Sequence, residues 1–241
     1  ITCYAEGKAV QNTVISLLEQ TYPGHIEIIA MVDGVQKNQA TYQALRDLIP
    51  RISSYPRRSF IIIPKIQRGG RVSSLNAGLS RASGEMFLAL DGDTSFDNEM
   101  VYRSALHFQN DNVVAVTGPM RVRNAKKSLV TRLQSLEYML SLQVGKLGLT
   151  NLNVINNIPG AFGIFRKSFL QKIGGWNTGT AEDLDLTLRI KQYQRRYPQL
   201  RIEYEPGAVS HTDAPEKFSD FLRQRLRWDG DLWYTYSNKH R

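Results

Sequence analysis

Residues 85–96 read EMFLALDGDTSF. The stretch begins as an apolar run and then changes abruptly to Asp91, Gly92 and Asp93. A short apolar run followed by turn residues predicts a buried strand that ends at the aspartates. Two carboxylates so close together persist when water, a cation or basic side chains neutralise them. Since ligands of open α/β sheets bind beyond the carboxyl ends of the strands, a metal site is one interpretation. A polar strand-to-loop transition is the other.

Apolar runs and amphipathic stretches alternate along the rest of the chain. Strands are predicted in HIEIIAMV (25–32), SFIIIPKI (59–66), EMFLAL (85–90) and VVAVTG (113–118). Helices are predicted in RVSSLNAGLSRA (71–82), SLVTRLQSLEYMLSLQVGKL (128–147) and EKFSDFLRQRLRW (216–228). This alternation predicts an α/β fold with a mostly parallel central sheet flanked by helices.

The stretch AEDLDLTLRI (181–190) is ambiguous from its pattern alone. Its leucines alternate as they would in a half-buried strand. Thr180, followed three residues later by Asp183, resembles a capping box and favours a helix.

Composition limits the class of protein. A chain of 241 residues with 41% hydrophobic content can form one large domain or two small ones. A single cysteine excludes an internal disulfide framework and a cysteine-rich zinc site. The net charge of +9 suits nucleic acid, anionic lipid or a phosphorylated substrate. No apolar run is long enough to span a membrane and no signal peptide is visible. Because the sequence opens inside an apolar segment and ends without a clear stop, we expect a piece of a longer chain, in which membrane-spanning segments stay possible.

Several common motifs are absent. The DGDTSFDNEMVY stretch has Phe96 and Tyr102 where a calcium-binding helix-loop-helix motif needs Gly and Glu. The dinucleotide fingerprint, the phosphate loop, the H-E-x-x-H zinc pattern and the G-x-S-x-G elbow do not occur.

Five short motifs occur in a distinctive order. They are VDG (32–34), DGD (91–93), PGAFG (159–163), AED (181–183) and QRLRW (224–228). This ordered set resembles the inverting glycosyltransferases of family 2, and above all their membrane-embedded processive branch of cellulose, chitin, hyaluronan and poly-N-acetylglucosamine synthases. The resemblance implies the GT-A nucleotide-diphospho-sugar transferase fold. It also implies one catalytic domain over 1–241, with a nucleotide-sugar-binding half (1–120) and an acceptor-binding half (121–241).

The sequence departs from the family pattern in three places. Gly34 stands where a second acid is common, and Ala181 replaces the usual Ser or Thr before Glu-Asp. At the start, Thr2 and Ala5 differ from the common P-x-Y-N-E pattern. No presumed catalytic group is lost.

The resemblance also implies a role for each site residue. Asp183 would be the general base, Arg227 would stabilise the departing diphosphate, and Asp93 would hold Mg²⁺ or Mn²⁺. The expected donor-binding residues are Tyr4, Glu6, Asp33, Lys65, Arg71 and Asp91. The expected acceptor-binding residues are Gly160, Ala161, Phe162, Glu182, Gln224 and Trp228. His211 is expected to be structural.

These roles agree with elementary chemistry, although structural alternatives stay open. A divalent cation can neutralise a leaving diphosphate, and a carboxylate at a helix start is held in the ionised form that a base needs. Asp183 could equally be a capping acid, Arg227 a solvated helix residue, and Trp228 a core residue.

The expected function is transfer of a sugar from a UDP-sugar to a growing β-linked polysaccharide at the cytoplasmic face of a membrane. The main alternative is a single-addition enzyme acting on a lipid acceptor, similar to ceramide glucosyltransferase. Two further classes are a non-catalytic sugar-nucleotide binder and a nucleic-acid module. The second rests on charge alone, and no nucleic acid is expected beyond the donor nucleotide.

Overall fold

The computed structural model describes residues 1–240. The strands are β1 (Thr2–Cys3), β2 (Ile26–Val32), β3 (Arg58–Pro64), β4 (Met86–Leu90), β5 (Ser95–Phe96), β6 (Val113–Thr117), β7 (Met120–Val122), β8 (Phe162–Arg166), β9 (Arg201–Tyr204) and β10 (Ser210–Thr212). The α-helices are α1 (Val10–Leu18), α2 (Gln39–Arg46), α3 (Gly70–Arg81), α4 (Met100–His107), α5 (Leu129–Tyr138), α6 (Lys146–Asn151), α7 (Lys167–Lys172), α8 (Glu182–Arg196) and α9 (Phe218–Tyr234). The four predicted strands form, as do the predicted helices over 71–82 and 216–228.

The sheet is mixed, with most neighbouring strands parallel. Strands β1, β2 and β3 form a parallel ladder, and a parallel bridge from Thr2 to Asp91 connects β1 with the end of β4. Beyond β4 the order is β4-β8-β6-β9, where β8 is antiparallel to both of its neighbours and β9 is parallel to β6. The carboxyl ends of β1, β2 and β4 therefore meet at one edge. The predicted α/β class is confirmed.

Buried side chains form two clusters that divide between the two parts of the sheet. One cluster packs α1 and α2 against β2 and the end of β4, and includes the large side chains of Leu45, Met100 and Phe162. The other packs α3 and α8 around Phe165 and Trp176, whose rings meet edge to face. Both clusters contain residues from distant parts of the chain. Their packing therefore stabilises both parts of the sheet.

Helix α8 forms as predicted, but the predicted capping box is wrong. The N-cap is Ala181, in a left-handed conformation with φ 48°, and no side chain caps the helix. The Thr180 hydroxyl donates instead to Asp231 of α9. Three acids in the first turn, including Asp183, interact favourably with the helix dipole.

The predicted helix over 128–147 is interrupted by a π-helical segment, Met139–Gly145. The leucines along one side of this segment are exposed rather than buried: Leu129, Leu133 and Leu140 are 71%, 59% and 55% exposed. Helix α9 likewise buries none of its side chains. Within residues 1–240, no helix is long and apolar enough to cross a membrane.

Candidate active site

The turn after β4 sends its two aspartates in different directions. Asp91 accepts a hydrogen bond from the Thr2 hydroxyl at 3.3 Å and forms an ion pair with Arg71. Asp93 is exposed, and its recorded side-chain hydrogen bond comes from the adjacent Thr94 hydroxyl at 3.3 Å. Asp91 is therefore fixed by the protein, whereas the Asp93 carboxylate faces solvent with capacity to bind a ligand.

The glycine between them is needed for close packing. A Cβ at Gly92 would lie 3.1 Å from both the Glu6 side chain and the Thr2 carbonyl oxygen. The turn is also held from outside by Arg123, whose Nη2 donates to the carbonyl oxygens of Asp93 at 2.9 Å and His211 at 2.8 Å. Arg123 belongs to no recognisable motif, so this role could not be predicted from the sequence.

Glu6 lies directly against the DGD turn. One carboxylate oxygen accepts a hydrogen bond from the Tyr4 amide at 2.7 Å, whereas the other is buried without a partner in the described residues. Burial raises the pKa of Glu6, and the neighbouring charge of Asp93 raises it further. The Arg68 guanidinium lies 4.0 Å above the ring of Tyr4. Tyr4 and Glu6 thus stand beside the turn, as the donor-site prediction requires.

Asp33 is already occupied by contacts within the protein. It lies at the end of β2 and accepts hydrogen bonds from Lys65 Nζ at 2.7 Å and from the amides of Gly69 and Gly70 at 2.9 Å each. Burial alone would raise the pKa of Asp33, but these donors reverse the effect and lower it. The Asp33–Lys65 pair therefore fixes the start of α3, and a nucleotide would meet both residues in this paired state.

Arg71 connects the predicted donor and acceptor residues. Its guanidinium pairs with Asp91 at the end of β4 and with Glu182 at the start of α8, the latter at 2.7 Å. It also donates to the Gly160 carbonyl oxygen and, at 3.0 Å, to the Thr2 hydroxyl. A single arginine therefore connects the end of β4, the start of α8 and the PGAFG loop.

Asp183 lies at the same junction. Its Oδ2 accepts hydrogen bonds from the Gly160 amide at 2.9 Å and from the Asn157 side chain at 3.4 Å. Its Oδ1 accepts from the Leu184 amide at 2.8 Å. A Cβ at Gly160 would lie 3.3 Å from Glu182 and 3.6 Å from Asp183, so glycine keeps this approach open. The geometry orients the carboxylate without closing it from the cleft.

The other two predicted acceptor-binding residues of the PGAFG loop, Ala161 and Phe162, pack against the core. Phe162 is fully buried and packs on Phe96, with 5.6 Å between ring centroids. Ala161 is partly buried against the same cluster. Burial therefore leaves Gly160 and Ala161, but not the Phe162 side chain, open to a direct contact with an acceptor.

Helix α9 carries the other predicted residues on a separate wall. Within residues 1–240, Arg227 forms no hydrogen bond or ion pair, and a buried oxygen of Gln224 has no partner. Trp228 is 37% exposed, and the Arg225 guanidinium covers its ring at 4.5 Å. Arg225 was not predicted; it also pairs with Glu137 of α5. The QRLRW residues thus remain without contacts to Asp91 or Asp183.

The residues at the DGD turn suit a hard cation shared with a substrate. Within residues 1–240, no three His, Cys, Asp or Glu side chains come together as a protein-only metal cage. Magnesium commonly binds through one or two carboxylates plus substrate phosphates. The exposed Asp93 carboxylate and the unpartnered oxygen of Glu6 beside it agree with that arrangement.

His211 contacts other parts of the protein, and its structural role stays a prediction. It lies in β10, where Nε2 is 2.8 Å from Asp97 Oδ1. Its backbone carbonyl oxygen is the second acceptor for Arg123.

The family model for "Glycosyl transferase family 2" matches residues 1–174. The chain belongs to this family. This match confirms the predicted membership of family 2 and the predicted enzyme class, a nucleotide-sugar-dependent glycosyltransferase. The individual residue roles stay predictions.

Curated relatives of this family 2 domain include two synthases. The poly-beta-1,6-N-acetyl-D-glucosamine synthase of Staphylococcus aureus strain COL is 31% identical over 229 residues, which cover 95% of this chain and 52% of the relative. The Staphylococcus epidermidis synthase of the same name is 30% identical, over 99% of this chain and 57% of its own length. The chain therefore spans about half the length of these relatives.

A solved structure supports the fold. A mannosyltransferase from Pyrobaculum calidifontis, determined with GDP-Man and Mn²⁺, matches 96% of this chain and 60% of its own, with a TM-score of 0.69 and 17% sequence identity. The predicted GT-A fold is confirmed.

Proposed function

We propose that this family 2 domain transfers a sugar from a UDP-sugar to a growing β-linked polysaccharide, with inversion at the anomeric carbon. The observation that carries the proposal is the junction around Arg71. This single guanidinium contacts Asp91, from the predicted donor side, and Glu182 and Gly160, from the predicted acceptor side. Donor and acceptor residues predicted from separate motifs therefore border one cleft.

Asp183 is suited to the role of general base. Hydrogen bonds from the Gly160 and Leu184 amides hold its carboxylate in a fixed orientation. In the proposed displacement, the acceptor hydroxyl oxygen forms a bond to the anomeric carbon as the bond to the diphosphate oxygen breaks. The hydroxyl proton passes to Asp183. A single displacement of this kind inverts the configuration.

Asp93 and Glu6 are the residues that would hold Mg²⁺ or Mn²⁺ with the diphosphate. A divalent cation supplies Lewis-acid stabilisation of the negative charge on the leaving group. The Mn²⁺ of the archaeal mannosyltransferase structure supports a divalent ion in this fold. Arg227 has no partner within residues 1–240, so its planar guanidinium is available to a phosphate group.

N-acetylglucosamine is the first donor sugar to test. The staphylococcal relatives are named as synthases of poly-beta-1,6-N-acetyl-D-glucosamine, and they cover nearly the whole of this chain. The acceptor would then be the growing polysaccharide, and a lipid acceptor of single addition is the alternative outcome.

Surface chemistry favours a position on the cytoplasmic face of a membrane. Helices α5 and α9 expose apolar side chains, and the chain has a net charge of +9. Exposed apolar faces bordered by basic residues bind anionic lipid surfaces. Preferential binding to anionic over neutral vesicles at low salt is expected; equal binding to both would contradict this position.

The function is tested with the full-length protein and UDP-N-acetylglucosamine. Proton NMR of the earliest product should show a β linkage formed from the α-configured donor, and chromatography should show a ladder of chain lengths. A single added sugar on a lipid would support the alternative. An α-linked product would contradict the inverting reaction.

A further inference from the structure

Lys146 is a buried lysine behind the candidate base. It begins α6, directly after the π-helical segment, and only 3% of its surface is exposed. Its Nζ donates a hydrogen bond of 2.8 Å to the backbone carbonyl oxygen of Asn157. Burial lowers the pKa of Lys146 to about 8, although the charge of Asp183 acts in the opposite direction.

Packing and ion pairing do not account for this lysine. Within residues 1–240, no carboxylate lies within ion-pairing distance of its Nζ. An apolar side chain of similar length would fill the same space without desolvating a charge. A buried ammonium retained under these conditions points to a role in the adjacent site.

The contact with Asn157 leads directly to Asp183. The Asn157 side chain donates to Asp183 Oδ2 at 3.4 Å. The single hydroxyl proton of Thr187 has two acceptors within reach, the Asp183 carbonyl oxygen at 2.8 Å and Asn157 Oδ1 at 3.3 Å. Lys146 thus anchors the loop that ends at Gly160, whose amide is the closest donor to Asp183 Oδ2.

We propose that Lys146 is a positioning residue for sugar transfer: its ammonium fixes the loop 157–160 so that Asn157 and Gly160 hold the Asp183 carboxylate in the orientation that proton transfer needs. This role rests on the proposed function of Asp183 as the base. Lys146 touches neither donor nor acceptor. It acts through the backbone of Asn157 and through its positive charge behind the carboxylate.

The kinetic test compares Lys146→Met with Lys191→Met in the full-length protein. Lys191 lies on α8, is partly buried, and has no recorded contact with the loop. Lys146→Met should lower kcat at least about tenfold while the KM for the donor changes less than about threefold, because the base is misplaced and the donor site is intact. Lys191→Met should change neither. A wild-type kcat in Lys146→Met, or a loss confined to donor KM, would overturn the proposal.

A second measurement does not depend on turnover. Carbon-13 and amide NMR of the 241-residue chain at a single pH can follow the Asp183 carboxyl carbon and the Gly160 amide. In Lys146→Met both resonances should move, because the loop no longer holds the carboxylate in the same orientation. Arg71 and Glu182, which border Gly160 on its other side, are unchanged in the variant. Unmoved Asp183 and Gly160 resonances would overturn the proposal even if no UDP-sugar were turned over, whereas moved resonances without turnover would support the role of Lys146 and contradict the transferase function instead.

Discussion

Two parts of the cleft differ in how their side chains are held. The floor consists of Asp33, Asp91 and Asp183, and the α9 wall carries Gln224, Arg227 and Trp228. On the floor, Asp33, Asp91 and Asp183 each accept hydrogen bonds from backbone or basic groups that the sheet holds in place. On the wall, Arg227 has no partner in the described residues and Trp228 is 37% exposed beside the Arg225 guanidinium. The side chains of the floor are thus held in place before substrate binds, whereas polar groups of the wall remain free to bind a substrate.

This difference predicts that substitutions on the floor and on the wall have different effects. A change on the floor should alter the chemical step or the stability of the fold, because its groups are mutually dependent. A change on the wall should alter contacts with the substrates, the acceptor at Trp228 and the diphosphate at Arg227, with little effect on stability, because α9 buries no side chains.

The largest effect is expected for Asp183→Asn. The amide cannot accept the acceptor proton, and general-base catalysis contributes about 10²–10⁴-fold, so kcat should fall roughly 1000-fold. UDP affinity, measured by calorimetry, should stay within a few-fold of wild type. Glu182→Gln is the matched control, with a smaller loss through Arg71. Retention of more than about a tenth of the activity in Asp183→Asn would exclude it as the base.

A pH-dependent stability difference is expected for Lys146→Met. The folded-state pKa of Lys146 is lowered from 10.5 to about 8, so at pH 7 the buried ammonium opposes folding by up to about 3 kcal/mol. The unfolded chain binds more protons between these two pKa values, so wild type should gain stability relative to the variant as pH rises from about 8 to 10.5. Urea unfolding across this range measures the difference. A gap that widens in favour of the variant would contradict the predicted sign.

A moderate loss of stability is expected for Asp33→Asn. The substitution weakens the contacts with Lys65 and the start of α3, which should lower the free energy of unfolding by about 1–3 kcal/mol at pH 7. Because the folded-state pKa of Asp33 is lowered, this contribution exists above its unfolded pKa and disappears as pH falls through the folded one. Wild type and variant should therefore converge in acid. Equal stability at pH 7 would show that the pair is not structural.

The smallest effect is expected on the wall. Trp228→Ala should raise the acceptor KM by about 3- to 10-fold, since a sugar stacked on the indole loses about 0.5–1.5 kcal/mol. Donor affinity should be unchanged. Trp233→Ala, on the same helix and 76% exposed, is the control. An equal effect in both variants would argue against a specific acceptor contact at Trp228.

Sequence reasoning identified the floor better than the network that supports it. The β4 strand and its aspartates follow from local hydrophobicity and turn chemistry, which residues 85–96 carry by themselves. Arg123 and Lys146 could not be found this way, because they belong to no motif and their contacts with Asp93 and Asn157 exist only after folding. The capping box at Thr180 failed for the same reason, since its hydroxyl bonds to Asp231 of α9.

The exposed leucines of α5 mark a second limit. Their spacing predicts a helix correctly, but periodicity alone does not show what covers the apolar face.

The most direct measurement is a calorimetric titration of UDP into the protein with Mn²⁺ and then with EDTA, for wild type and Asp93→Ala. The floor is proposed to bind the diphosphate through a cation at the exposed Asp93 carboxylate. Binding should therefore require Mn²⁺ and weaken at least about tenfold in the variant, which corresponds to about 1.4 kcal/mol. UDP binding of equal strength in EDTA, or in Asp93→Ala with Mn²⁺, would contradict the proposal that the DGD turn is the metal-diphosphate site.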